Sequence, residues 1–275
     1  MSVQVLLPHL QASHASIVDR STVLLIEPQV ESPEKGPTTT QDYEYNAALS
    51  AYASVSLHEL DKIRLMGISP EYHAEFRKVI FASGHQIQSE RPYACSHQFK
   101  LVGNPWVYKH GSGRTESLRL VVMIMSLMVR SGWQLVLTTD ISAKSYDKDM
   151  WMFRRAGAGV PQPQSFCVVS FAYPDQLRLI DGPDELLQVI RQTIQTSYRK
   201  GLQEEGTTVK GAPMFKLFGN PWVASGDETM YTRRFLLELL ASFERIGWTI
   251  YASLDITTGA AESDSSLDCW ILAKH

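Results

Sequence analysis

Cysteine is scarce in this chain: Cys95, Cys167 and Cys269 are the only three in 275 residues. They are far apart and odd in number. None belongs to a CxxC pair, and no histidine stands at zinc-ligand spacing from two of them. That pattern argues against a structural zinc site and leaves three reduced thiols, with Cys167 and Cys269 placed inside strands. Charge of one sign is lacking too. With 26 Lys/Arg against 29 Asp/Glu and a pI near 6.2, the chain has no basic footprint for nucleic acid or an anionic membrane. The longest apolar run, Leu118 to Val129, is too short to span a bilayer and carries Arg119. The first residues, MSVQVLLPHLQASHASIVDR, show neither the basic start nor the long apolar centre of a secretory signal. A soluble cytoplasmic protein is expected, with the nucleus left open.

Catalytic signatures are missing as well. There is no GxSxG elbow, and no lysine follows the glycines of the loop KHGSGRTES at Walker spacing. Of eight histidines only His275 lies in the second half, which excludes a duplicated histidine-based site. No motif asks for a cofactor.

What the chain does have is repetition. FKLVGNPWV (Phe99 to Val107) returns as FKLFGNPWV (Phe215 to Val223). After each copy come a loop, a helix, Gly-Trp and a strand, so Gly132 matches Gly247, Arg119 matches Arg234 and Asp140 matches Asp255. Upstream, Ser56 and Arg64 match Ser170 and Arg178. Further on, Asp149 matches Asp268. The six tryptophans sort into three equivalent pairs, Trp106/Trp222, Trp133/Trp248 and Trp151/Trp270. Two domain-sized repeats of about 115 residues follow, far longer than solenoid units.

Each unit reads as ββαβαββ. In the second copy the elements fall at Ser165–Ala172, Gln176–Ile180, Asp184–Tyr198, Met214–Phe218, Met230–Ile246, Trp248–Ile256 and Leu267–Ala273. The short connections predict an α+β fold, an antiparallel sheet with helices on one face, duplicated in tandem and related by pseudo-twofold symmetry. Residues 1–157 form the first unit, with an N-terminal extension and a polar insertion near 31–46. Residues 158–275 form the second, after the Gly- and Pro-bearing link RAGAGVPQPQS. The helix LRLVVMIMSLMV is apolar nearly all round and is expected to be buried on more faces than its amphipathic counterpart FLLELLASFERI.

Candidate chemistry clusters near GNPW. Proline locks φ and ends the strand in a sharp turn, and a buried Trp pins the corner. The functional version of the same motif is a pocket wall in which Asn104 and Trp106, or Asn220 and Trp222, meet a ligand. Arg119 and Arg234 occupy the first turns of their helices, where a cation is disfavoured and needs a partner. Asp140 and Asp255 are the expected partners, and the alternative is an arginine lining a carboxylate or phosphate site. The same aspartates, each two residues before Ser142 or Thr257, also suit turn capping. Lys109, Gly111, Ser112, Gly113 and Arg114 could cradle an anion in the first unit, whereas the matching loop of the second is acidic. What repeats is apolar and what diverges is polar. The expected function is therefore a non-catalytic module or scaffold that binds another protein or peptide, and not nucleic acid. The alternative is an enzyme or a small-molecule binder of anionic ligands, with its site near the GNPW loops and helix N-termini.

Overall fold

The structure, a computed structural model, describes residues 51–107, 111–141, 148–172, 174–256 and 267–275, and the side chains from Gly113 onward in its longest helix. The expected insertion at 31–46 and Lys109 lie outside the described residues.

Alternating burial along β1 (Tyr52–His58) and β2 (Lys62–Met66) turns Ala53, Val55, Leu57, Ile63 and Leu65 to one face and Ser54, Ser56 and Arg64 to the other. Around this hairpin the first unit adds α1 (His73–Ala82), β3 (Ile87–Tyr93), β4 (Ser96–Leu101), α2 (Gly111–Arg130), β5 (Trp133–Thr139) and β6 (Met150–Arg155). The second unit repeats the order with β7 (Ser165–Ala172), β8 (Gln176–Ile180), α3 (Asp184–Ser197), β9 (Leu202–Thr207) and β10 (Pro213–Leu217). It ends with α4 (Asp227–Arg245), β11 (Trp248–Leu254) and β12 (Cys269–Lys274). The sheets run β3-β4-β2-β1-β6-β5 and β11-β12-β7-β8-β10-β9, the same topology twice, with every pair antiparallel.

The α+β class and the tandem duplication are as expected, and each unit carries one strand more than the sequence pattern predicts. The additions, β3 (IQSERPY) and β9 (LQEEGT), are edge strands with little burial. An edge needs no apolar face, and charge or proline there blunts further pairing, so these strands lack the alternation that marks the others. Helix α4 begins at Asp227, three residues before the expected Met230, with Asp227 and Glu228 in its first turn.

Two cores share the molecule. The inner face of the first sheet packs with α1 and α2, and α2 turns its opposite side to β7 and β8. Phe166, Val168, Cys269 and Ile271, on one face of the second sheet, join that core. The other face of the same sheet (Cys167, Val169, Leu177, Leu179, Phe215) packs on α3 and α4. The second sheet is thus covered on both sides, which is why β7 reads SFCVVSFA without alternation. Burial pushes both the Cys167 and Cys269 thiols up to about 12, and both are free. The apolar surround of α2 has its explanation here, since Leu118, Leu120, Val121, Val122, Ile124, Met125 and Met128 are all buried between two sheets. Helix α4 keeps one buried stripe, Phe235, Leu239 and Phe243, and leaves Leu237 65% exposed.

The two copies meet in two ways: α2 packs on β7 and β8, and the equivalent edge strands β5 and β11 touch. Arg119 of α2 reaches Asp181, after β8, with Nε 2.9 and 3.0 Å from the carboxylate oxygens. Its counterpart Arg234 is exposed. The two copies are therefore covered unequally, α2 more deeply than α4. Asp181 adopts φ 55 at the position where the first unit has Gly67 at φ 70. A non-glycine residue held there is strained, and its ion pair with Arg119 offsets the strain.

GNPW does the same structural work in both copies. Gly103 and Gly219 each take φ 79, and Pro105–Val107 and Pro221–Val223 form short 3-10 turns. Each turn is clamped to the preceding hairpin. Trp106 Nε1 donates to the Lys62 carbonyl at 3.2 Å, and Trp222 Nε1 donates to the equivalent Gln176 carbonyl at 2.9 Å. Trp106 is completely buried, whereas Trp222 is only partly so. Trp106→Ala is expected to lower unfolding free energy in urea by about 3–5 kcal/mol. Trp222→Ala should cost clearly less; equal losses would contradict the difference in packing.

Candidate functional site

The difference between the two GNPW corners opens a cleft. In the second unit Phe171, Trp222 and Trp270 form its aromatic wall, with Phe171 4.9 Å from Trp222 and 4.8 Å from Trp270 in edge-to-face contacts. Pro221, Leu236 and Leu267 complete the apolar lining, and Arg233 and Asp268 stand among the polar lining groups, around a volume of about 300 Å³. Arg233 is exposed, and none of the ion pairs among the described residues uses it. Asp268 accepts from Ser253 Oγ at 2.9 Å.

In the first unit the equivalent space is filled. Leu118 and Val121 stand where the second unit has Arg233 and Leu236, Trp151 stands for Trp270, and all three are fully buried. Ser117, the counterpart of Thr232, donates from Oγ to the Pro105 carbonyl at 2.7 Å. Because α2 is pressed between two sheets, its corner closes; among the described residues α4 carries no second sheet, and its corner is open. Asn104 and Asn220 are both exposed, Asn220 in the left-handed region at φ 50, and neither lines the cleft.

The predicted polar residues are distributed differently from the expected pairing. Arg119 binds Asp181 and not Asp140, because α2 packs against β7 and β8 and so meets the turn after β8. Asp255 instead donates its backbone N–H to Asp149 Oδ2 at 3.0 Å, across the seam where the edges β5 and β11 meet. Tyr251 Oη accepts from Leu135 N at 3.1 Å on the same seam. The four repeated aspartates, Asp140, Asp149, Asp255 and Asp268, converge there. Burial first, and then the charges of Asp255, Asp268 and Asp140, raise the Asp149 carboxyl above its ordinary value. Sequence spacing gives no hint of this convergence, which exists only once the two edges touch.

Another polar cluster was not singled out from sequence. His73, Glu90 and His97 present ligand-type atoms within 4.8 Å of one another, the one such metal-competent group among the described residues. His97 Nε2 lies 2.6 Å from Glu90 Oε1, the His73 and His97 rings stack at 3.8 Å, and His73 Nε2 is buried without a partner. Burial, followed by the neighbouring His97, lowers the basicity of His73. Glu90 already accepts two 2.7 Å bonds from Arg77. Arg191 and Glu205 repeat that bridge in the second unit, with Leu187 and Pro213 where the histidines stand. The carboxylate is thus engaged by a duplicated structural ion pair, and the histidines pack around it in one copy.

Of the glycine loop, Gly111–Gly113 begin α2, and Arg114 turns inward to the second sheet, where Nη2 donates to the Leu267 carbonyl at 3.1 Å. Arg114 is buried.

Fold and site together define a tandemly duplicated α+β protein with one open corner. One domain-family profile matches the chain twice, over residues 51–154 and 165–273, and the chain belongs to that family with two copies of its domain. No curated protein and no solved structure matches the chain. Among the described residues no helix is long and apolar enough to cross a membrane.

The seam makes a pH prediction. Folded Asp149 keeps its proton to higher pH than an unfolded aspartate, so stability falls as pH rises from the usual 3.8 through the raised value. Asp149→Asn retains an oxygen to accept from Asp255 N–H. It is expected to be more stable than wild type near about pH 7, with the gap closing toward about pH 4 in thermal melts. A gap independent of pH would remove the seam repulsion from the account.

Proposed function

We propose that this protein is a non-catalytic binding module of a reducing intracellular compartment, and that its second unit takes a large apolar side chain of a peptide segment. The observation that carries this reading is the aromatic cleft of Phe171, Trp222, Trp270 and Leu236, open in one copy and packed shut in the other. Its volume is of the size that accepts one or two side chains, at the small end of ligand pockets. Partly buried tryptophans beside a leucine make the kind of anchor pocket that dominates peptide affinity. Arg233 favours an Asp or Glu flanking the anchor residue, since its charge is exposed and no ion pair among the described residues engages it. The lining includes no histidine and no cysteine, which supports binding over catalysis.

Selection from a displayed random-peptide library tests this directly. Enriched peptides should share an aromatic or large aliphatic residue next to an acidic one. Leu236→Glu should weaken them at least tenfold, by about 1.4 kcal/mol, while thermal melts stay near those of wild type. Failure to enrich any sequence class, or binding untouched by Leu236→Glu, would overturn the reading.

A further inference from the structure

We propose that a phosphate-type oxyanion binds at the junction of the two units, gripped by Arg114 of α2 and Arg178 of β8. This does not rest on the peptide cleft, which lies against the opposite, α4 side of the second sheet.

Arg178 owes its position to the duplication. Its first-unit counterpart, Arg64, lies on the half-exposed outer face of the first sheet, donating to Gln98 Oε1 at 3.0 Å and lying 3.9 Å over the Tyr93 ring. In the second unit α2 covers that same face, so Arg178 is only 7% exposed. Arg114, 3% exposed, enters from the other side of the junction. Each guanidinium keeps one neutral acceptor, Gln176 Oε1 at 2.7 Å for Arg178 and the Leu267 carbonyl for Arg114. Each also has its Nε buried with no partner. Neither takes part in an ion pair among the described residues.

Two buried cations with no carboxylate bonded to either among the described residues are costly, because burial removes hydration and their mutual repulsion adds to the loss, even with Asp268 beside Leu267. The basicity of Arg178 is depressed by burial and then by Arg114, the direction expected when no anion is near. Arg114 also occupies the first turn of a helix of 20 residues, where the dipole is positive and orphan N–H groups gather. Three positive contributions therefore meet. Ser170 stands directly across from Arg178 in the sheet register, and Cys269 stands across from Ser170 on its other side, two residues past Leu267. The Ser170 hydroxyl is fully buried without a partner, as is that of Thr115, next to Arg114. Guanidinium N–H groups can only donate, and hydroxyls can join them as donors. An acceptor with several oxygens and negative charge satisfies all of them, and a planar guanidinium fork matches phosphate oxygens two at a time.

The test compares melting of the full chain in chloride buffer and in inorganic phosphate at matched ionic strength. Wild type should gain about 3 °C or more by about 20 mM phosphate, with saturation at one site. Acetate should do less, and a phosphomonoester arm separates free phosphate from a phosphate borne on a larger molecule, since only a site open to solvent admits the ester. Arg178→Met should abolish the phosphate response while melting in chloride no lower than wild type, because an unpaired buried charge has been removed. Ser170→Ala, a smaller change, should weaken the response even if Arg178→Met fails to fold. Wild-type melts indifferent to phosphate, or an undiminished response in Ser170→Ala and Arg178→Met, would overturn the proposal.

Discussion

One helix belongs to two cores, and the architecture follows from that. Residues 118–129 of α2 are apolar on nearly every side, so no single sheet can bury them all. Placing a second sheet against the far side of α2 satisfies the helix and covers the face of that sheet which its own helices leave bare. The sequence of α2 and the two-sided burial of β7 are therefore one constraint written in two places. Neither unit has this property alone, since the shared core includes Phe166, Cys269 and Ile271 of the second unit with the first unit's Val55, Phe99 and Trp151.

Unequal cover of the two copies then gives identical motifs different fates. Arg64 and Arg178 began as the same residue, yet one is half-exposed over a tyrosine and the other is enclosed. Trp106 and Trp222 make the same hydrogen bond, but the first is sealed by α2 and the second lines an open cleft. A symmetric pairing would have kept the copies equivalent. Asymmetry produced by packing is the physical reason that one chain can hold an enclosed polar junction and an open apolar pocket on a duplicated frame.

Much of this was legible in the residues. The tryptophan pairs and the repeated GNPW announce the duplication, and the helix patterns tell which copy is buried more deeply. The glycines 132 and 247, at φ 80 and 79, mark the helix ends as their spacing implies. Edge strands were not legible, because Glu204, Glu205 and Arg91 pair backbone without needing an apolar face. Nor was the partner of Arg119, since Asp181 lies in the other copy and its first-unit counterpart is a glycine. The convergence of four aspartates and the enclosure of two arginines depend on how the units stack, a long-range fact that no local periodicity carries.

Unequal cover leaves α4 and the outer face of the first sheet without the contact that α2 and the second sheet make with each other among the described residues. The sequence differences match this. Gly67 stands where the second unit has Asp181, so among the described residues the Arg119–Asp181 pair is not repeated for Arg234. On that face Tyr52, Ser54 and Met66 stand where the buried equivalent in the second unit carries Phe166, Val168 and Ile180, and Tyr52 and Met66 are exposed. Helix α4 has Glu238 where α2 has Met123. The divergence between the copies thus follows their unequal cover, and the open aromatic cleft lies beside α4, which carries no second sheet among the described residues.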